Sequence, residues 1–390
     1  MPEAYIVAAV RTAAGRKGGR LRNWHPVDLA AEVLTELARR ATLDPARIDD
    51  VILGCVGQVG PQTANVARNA VLAAGFPETV PGTTVDRQCG SSQQALHFAA
   101  QAVMSGSMDI VVAGGIESMT KVPLSAATRL AVDSGLDHPD SPRIKARYQH
   151  AELNQFAGAE AIAAKYGLDR DTLDRFGFES HHRAAAAAAA GRFDRELLPV
   201  AGVDPAGEPV VHDKDEGVRP DVSLDAMAQL KPLRENGRLT AATSSQVSDG
   251  ASGVVVVSEA GLKELGVAPL ARIHHLTVLG DSPVTRLDAP IPATIRALER
   301  TGLRIADIDL YEVNEAFASI PLAWRIAMDA DPDRLNVNGG AIALGHPLGA
   351  SGTKLMSTLI YGLKACGGRY GLQTMCEGGG LANVTIIENL

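Results

Sequence analysis

Leu43-Asp44-Pro45-Ala46-Arg47-Ile48-Asp49-Asp50-Val51 has a counterpart 260 residues further on, Leu303-Arg304-Ile305-Ala306-Asp307-Ile308-Asp309-Leu310-Tyr311, in which Leu43 matches Leu303 and Ile48 matches Ile308. In each copy a helical stretch precedes the segment and an apolar strand follows it. The likeness extends outward. In the first copy a small-residue helix opened by Cys89 leads through Ser105-Gly106 to a strand over 109–113 and then Gly114-Gly115. In the second, the turn Gly345-His346-Pro347-Leu348-Gly349 leads through a helix carrying Leu355, Met356, Leu359 and Ile360 to a strand over 370–375 and then Gly378-Gly379-Gly380. Strands alternating with helices predict an α/β unit around a largely parallel sheet, here present twice.

The copies differ in one respect. The second runs from its triple glycine straight into a strand over 382–387, whereas the first breaks off after Met119 and finds the matching strand only at 249–257. Residues 120–248 therefore read as an insertion, which leaves 1–119 with 249–268 as the first half and 269–390 as the second. The insertion is polar, with helix-like pieces at 159–166 and 184–190 and the turn-rich Asp204-Pro205-Ala206-Gly207. Inserted segments of this size commonly cover or shape a site; a decorative excursion is the alternative.

Composition excludes more than it assigns. A chain of 390 residues with 46% hydrophobic and 21% charged residues is ordinary globular usage with room for two or three domains. With 4% aromatic residues and a net charge of −8, general nucleic-acid binding is not expected, although a local basic groove for an anionic co-substrate remains open. Four scattered cysteines, Cys55, Cys89, Cys366 and Cys376, do not make a disulfide framework and point to a reducing compartment. A strand-like run begins at Tyr5 and no apolar run is long enough to span a bilayer, so the expectation is a cytoplasmic protein with neither leader nor membrane contact.

Three segments carry chemistry. Cys89 lies in Val85-Asp86-Arg87-Gln88-Cys89-Gly90-Ser91-Ser92, after a short β-branched run and before Ala95, Leu96, Phe98, Ala99, Ala102 and Val103, which recur at helical spacing. A thiol at a helix N-terminus is favoured as thiolate, although the position also suits a small buried Cys. The 260-residue offset sets Gly349 opposite Cys89, which brings the His346 turn to the corresponding helix start in the other half. His346 stands among the glycines of 336–352, where backbone can approach a ligand closely and an imidazole can exchange a proton, or can simply hydrogen-bond the loop. In Met375-Cys376-Glu377-Gly378-Gly379-Gly380 a thiol at a strand end precedes glycines whose N–H groups are free to face an oxyanion. The pair His181-His182 beside the alanine run reads as a solvated helix face before a metal site, because adjacent helical residues point in different directions.

Taken in order, the Cys89 segment, Asn314-Glu315-Ala316-Phe317, the glycine-rich His346 segment and Cys376-Glu377-Gly378-Gly379-Gly380 resemble the four motifs of the thiolase family, and the likeness spans nearly the whole chain. The resemblance implies the thiolase fold: two α/β halves with mixed five-stranded sheets in α-β-α-β-α layers, plus an inserted loop domain. It implies that Cys89 is acylated, that His346 helps to deprotonate it, and that Cys376 is the acid/base at the α-carbon. His346 with a water held by Asn314 would face the enolate oxygen, and the N–H groups of Cys89 and Gly378 the acyl oxygen.

The same resemblance implies thiolytic cleavage of a 3-ketoacyl-CoA by ping-pong acyl transfer, with CoA as co-substrate, no tightly bound cofactor, no metal, and a homodimer or homotetramer. Ser245, in Thr240-Ala241-Ala242-Thr243-Ser244-Ser245-Gln246, matches the serine that contacts pantetheine, and Arg219 stands where the family often places an arginine by the adenine nucleotide. Where short-chain biosynthetic thiolases carry a His-Met pair, this chain has Asn154-Gln155-Phe156, and the wording around Cys89 looks more like degradative members, including those for branched or ring-derived acyl chains. Rival readings are a decarboxylating condensing enzyme, which lacks the second Cys, an inactive acyl-CoA carrier, and a zinc site on Cys89, Cys376 and His346.

Overall fold

A computed structural model describes residues 2–149 and 153–390. The first half contributes β1 (Tyr5–Thr12), α1 (Pro26–Arg40), β2 (Asp50–Gly54), α2 (Val66–Ala73), β3 (Gly82–Val85), α3 (Ser91–Ser105), β4 (Ile110–Ser118) and, after the insertion, β5 (Ser248–Val257). The second contributes β6 (Ala271–Gly280), α4 (Pro290–Thr301), β7 (Leu310–Val313), α5 (Ser319–Met328), α6 (Ser351–Cys366), β8 (Tyr370–Glu377) and β9 (Leu381–Asn389).

The strands lie in the order β7-β8-β9-β6-β1-β5-β4-β2-β3. In the first half β2 runs parallel to β3 and β4, while β5 is antiparallel to β4 and β1. In the second, β7 is parallel to β8, and β9 is antiparallel to β8 and β6. The halves join through Tyr5–Arg272 and Ile6–Ala271 of β1 and β6. The repeat reaches individual hydrogen bonds. Asp49 Oδ2 accepts from the N–H groups of Asp109 and Ile110 at 2.7 and 3.0 Å, and Asp309 Oδ2 from those of Arg369 and Tyr370 at 2.7 and 2.9 Å. The expectation of five strands per half is met in the first. In the second the position matching β3 is a single bridge, Tyr311–Leu335, because the tight turn Pro332–Arg334 and the left-handed Asn336 (φ 45) leave too little extended chain for a strand.

Three layers of helix enclose the two sheet halves. On one outer face α1 and α2 pack Val33, Leu34, Leu37, Ala67 and Val71 against Val10, Val51, Val112 and Val255. Between the halves, Leu96 and Val103 of α3 and Met356 and Leu359 of α6 share a core with Ile6, Ile52, Val111, Val254 and Ile387. On the other outer face Ala293, Ala297 and Trp324 of α4 and α5 meet Tyr311, Val313, Leu372, Val384 and Ile386. Each fully buried large side chain contributes about 1.5–3 kcal/mol, so every layer is held by its own apolar seam. The two central helices begin 260 residues apart, at Ser91 and Ser351, and the Thr353 N–H donates to Ser92 Oγ at 3.1 Å where their starts meet.

β4 does not stop at Gly114-Gly115 as its sequence suggests; it continues to Ser118. These glycines are there for closeness, not for a turn: a Cβ on Gly115 would sit 2.0 Å from the Gly349 carbonyl oxygen, so only glycine lets the His346 turn reach the strand. The inserted stretch contains the helices Gln155–Lys165 and Arg170–Ala189 and pairs its short strand Leu197–Leu198 with β1. Arg11, fully buried on β1, clamps the insertion down: its Nε donates to Glu196 at 2.7 Å, and Nη1 and Nη2 to the two oxygens of Asp215 at 2.8 and 3.0 Å. No helix among the described residues is long and apolar enough to cross a membrane.

Candidate active site

The turn after β3 presents Cys89. Asp86 Oδ1 accepts from the Gln88 N–H at 2.7 Å, Gln88 is left-handed (φ 50), and Ser91 Oγ accepts from the Arg87 N–H at 2.9 Å while donating to the Gln88 carbonyl at 2.6 Å. Gly90 caps α3, so Cys89 stands at the helix N-terminus as its sequence predicts, one residue ahead of the cap. That position alone does not decide its chemistry. Hydrogen bonds from the N–H groups of Cys89 itself and Gly378 favour the thiolate, but burial and the Glu377 carboxyl outweigh them and push the thiol up to about 12. The expected helix-end activation does not by itself ionise Cys89; a proton acceptor is required.

Cys376 is the penultimate residue of β8 and fully buried. Burial, followed by the charge of Cys89 and then that of Glu377, holds its pKa well above the usual thiol range, so the two cysteines act on one another. Its surroundings are apolar, including Phe317, Ala318 and Ile342.

His346 is 3% exposed. Its N–H donates to the Gln246 carbonyl and to Ser248 Oγ, both at 3.2 Å, which ties the turn to the segment carrying Ser245. Its Nδ1 lies 2.6 Å from Ser351 Oγ, and the Ser351 hydroxyl donates to the Pro347 carbonyl at 2.9 Å. The one hydroxyl proton being so used, Ser351 accepts from Nδ1–H, and Nε2 carries the lone pair. Nε2 faces Asn314 Nδ2 at 3.3 Å. Burial, and after it the Lys354 charge, lower the imidazole to about 3, so His346 is neutral. Asn314 starts beyond β7, held by its N–H to the Thr374 carbonyl at 3.0 Å, and its Oδ1 is buried without a partner in the protein.

Ser245 is half-buried and its N–H donates to the Ala316 carbonyl at 3.0 Å, placing it beside the Asn314–Phe317 segment. Arg219 is exposed at the rim, tied through its backbone N–H to His181 Nδ1 at 3.2 Å. His181 thus corrects the solvated-face reading of the histidine pair: it is buried and accepts from the backbone of the Arg219 loop, and only His182 is exposed. Among the described residues no three His, Cys, Asp or Glu side chains are grouped to hold a metal ion. The structure therefore sets Cys89 beside Gly378 and Cys376, pairs His346 with Asn314, puts Ser245 against the Asn314–Phe317 segment, and leaves Arg219 exposed.

Three further residues were not singled out by sequence. Ser351, five places after His346, fixes the ring. Lys354, one turn later, is buried with Nζ on the Gly345 carbonyl at 3.1 Å, and burial lowers it to about 8. Glu377 was legible as a charge between Cys376 and Gly378, in a strand whose other residues are uncharged.

Comparison with known proteins agrees with this architecture. The model of the thiolase N-terminal domain matches residues 4–260 and that of the thiolase C-terminal domain residues 267–389. The chain is 53% identical to the steroid 3-ketoacyl-CoA thiolase FadA6 of Mycobacterium tuberculosis, across 100% of this chain and 95% of that protein. It is 42% identical to the 3-ketoacyl-CoA thiolase of Saccharophagus degradans, across 100% and 98%. A crystal structure of the Bacillus anthracis acetyl-CoA acetyltransferase superposes with a TM-score of 0.91 at 37% identity, covering 100% of this chain and 99% of that one. Two thiolase domain models that together match nearly the whole chain, and full-length relatives at 42–53% identity, place it plainly: the chain belongs to the thiolase family.

Proposed function

We propose that the protein cleaves a 3-ketoacyl-CoA with a second CoA, giving acetyl-CoA or propionyl-CoA and a shortened acyl-CoA, through an acyl group carried on Cys89. The observation that carries this reading is the presence, in one chain, of a half-buried thiol bonded by the Gly378 N–H, a second, fully buried thiol that feels its charge, and a neutral imidazole whose Nε2 lone pair faces the Asn314 amide. Cys89 sulfur attacks the ketone carbon as His346 takes its proton. The C2–C3 bond breaks, its electron pair goes to C2, and the resulting enolate takes a proton from the Cys376 thiol. The CoA thiol then gives its proton to the Cys376 thiolate as its sulfur attacks the thioester, Cys89 leaves as thiolate and takes its proton back from His346, and the acyl-CoA departs. A thiol held well above its ordinary pKa is a stocked proton donor, which is what Cys376 must be at that step.

Cys89 and His346 are both neutral in the free enzyme, so the proton moves as negative charge passes from sulfur to the oxyanion, where the Cys89 and Gly378 N–H groups receive it. One such donor is worth about 3 kcal/mol. Asn314, with a bound water, holds the enolate oxygen together with His346. CoA lies with pantetheine along Ser245 and its nucleotide toward Arg219, under residues 120–248 as a cover between halves 1–119 with 249–268 and 269–390. The working form is a cytoplasmic homodimer or homotetramer with no resident cofactor.

The acyl chain is ring-derived. Support comes from the 53% identical steroid thiolase and from Asn154-Gln155-Phe156, in which Phe156 stacks edge-on against Phe317 with ring centroids 5.7 Å apart. CoA-dependent thiolysis across linear, 2-methyl-branched and ring-bearing 3-ketoacyl-CoAs tests this. A higher kcat/KM for the ring-bearing compounds is expected; a preference for short linear chains overturns the substrate assignment, and cleavage of none overturns the activity.

A further inference from the structure

Glu377 is fully buried at the end of β8, and both of its carboxyl oxygens lack a hydrogen-bond partner in the protein. Its side chain leans on the nucleophile turn. A Cβ built on Gly90 would lie 2.0 Å from Glu377 Oε1, 2.6 Å from Cδ and 3.0 Å from Cγ, so the carboxyl group fills the space that any other residue at 90 would occupy. Gly90 is held in that contact by Asn383, whose Nδ2 donates to the Gly90 carbonyl at 3.3 Å. On the other side of the turn, Arg87 Nε is also buried without a partner. An unpaired carboxylate in such a place costs several kcal/mol, and the cheaper state is the acid.

We propose that Glu377 is a positioning residue that works as an uncharged carboxylic acid: in that form it packs under Cys89-Gly90 and lets negative charge develop on the Cys89 sulfur, and when ionised it suppresses that charge. The groups facing it are Arg87 and Cys89 from the nucleophile turn and Cys376 from its own strand, with His97 of α3 beyond Arg87 and Arg286 acting on Cys89 from the loop after β6. Burial raises Glu377 to about 8, with the Arg87 charge opposing, while His97, pushed down by burial to about 3, stays neutral throughout. The ionisation of Glu377 therefore falls where an alkaline limb of activity would be seen. The charge of Glu377 raises both the Cys89 and the Cys376 thiols, which is the coupling the proposal requires.

The inference builds on Cys89 as nucleophile, but it is tested without acyl-CoA, so its outcome is independent of the thiolase reading. The rate of Cys89 alkylation by iodoacetamide, followed by peptide mass, is measured from pH 6.5 to 9.5 in the wild-type chain and in Glu377→Gln. The ratio of variant to wild-type rate is expected to grow about tenfold across that range, the size of a one-unit change in a thiol's pKa. A ratio independent of pH overturns the proposal. Should the variant fold poorly, the infrared carbonyl band of a protonated carboxyl in the wild-type chain decides: its loss near pH 8 supports the proposal, and its absence at pH 6.5 overturns it.

Discussion

Nδ1 of His346 and Oγ of Ser351 are 2.6 Å apart, and because the Ser351 hydroxyl proton is already engaged by the Pro347 carbonyl, this contact selects the imidazole tautomer whose Nε2 faces Asn314. A base is useful only if its lone pair points at the proton it takes. Ser351→Ala removes the acceptor for Nδ1–H and lets the ring turn or change tautomer. The expected result is a fall in kcat of about ten- to hundredfold with KM within about twofold, since substrate contacts are untouched. Steady-state kinetics on a 3-ketoacyl-CoA decide it; a wild-type kcat removes Ser351 from the account.

Arg11 illustrates a different dependence, of the insertion on the sheet. Its guanidinium is the shared partner of Glu196 and Asp215, all three being nearly or wholly inaccessible. Arg11→Met would bury two carboxylates without their cation, and breaking a buried pair in this way costs about 3–5 kcal/mol. Urea unfolding should show that loss, together with protease sensitivity in 190–220. A variant as stable as wild type would mean that the two acids are neutral in the native protein.

The pH dependence of stability has a sign that follows from the buried imidazoles. His97 is fully buried, held by Thr385 Oγ1 at 2.8 Å on Nε2, and burial lowers it to about 3. Above pH 6.5 the ring is neutral in both folded and unfolded chains; as the pH falls from there toward 3 only the unfolded chain takes up the proton, and stability is lost by up to about 1.4 kcal/mol per pH unit. Glu377, raised to about 8, works the other way and gains stability as pH falls from 8 toward the carboxylate's ordinary value, so the wild-type curve mixes both. Comparison with His97→Gln isolates the imidazole. The melting temperature of the variant should gain on wild type steadily below pH 6.5; parallel curves between pH 4.5 and 7.5 would show His97 protonated in the fold.

The repeat made much of this legible in advance. Leu43 and Leu303 placed equivalent turns, and Asp49 and Asp309 proved to make the same pair of hydrogen bonds, because a duplicated unit keeps its turn chemistry when its surface has diverged. Cys89, His346 and Cys376 were likewise visible as unusual residues in glycine-rich or strand-end settings, whereas Asn314 was reached only through the resemblance of Asn314–Phe317 to a family motif. What periodicity does not encode is approach between distant segments. On sequence alone the strand before Gly114-Gly115 ends at 113, because the Gly349 carbonyl that needs the space is more than 200 residues away, and the helix dipole argument for Cys89 ignored the Glu377 carboxyl folded in beneath it. His181 was misread for the same reason, its partner being the backbone of Arg219.

A division of labour between the thiols leads to a separable pair of variants. Cys89→Ser replaces the nucleophile with a hydroxyl far less acidic than a thiol, which His346, its pKa held down by burial, is too weak a base to activate, and thiolysis should fall by at least about three orders of magnitude. Normal acyl transfer by that variant would remove Cys89 from its role.

The central claim is that Cys89 carries the acyl group and Cys376 only moves a proton. Incubating Cys376→Ala with a simple acyl-CoA and mapping the product by peptide mass spectrometry tests this most directly. The account predicts a stoichiometric acyl adduct on Cys89 in a variant that no longer makes or breaks carbon–carbon bonds. An adduct on any other residue, or no adduct in a folded variant, would contradict it.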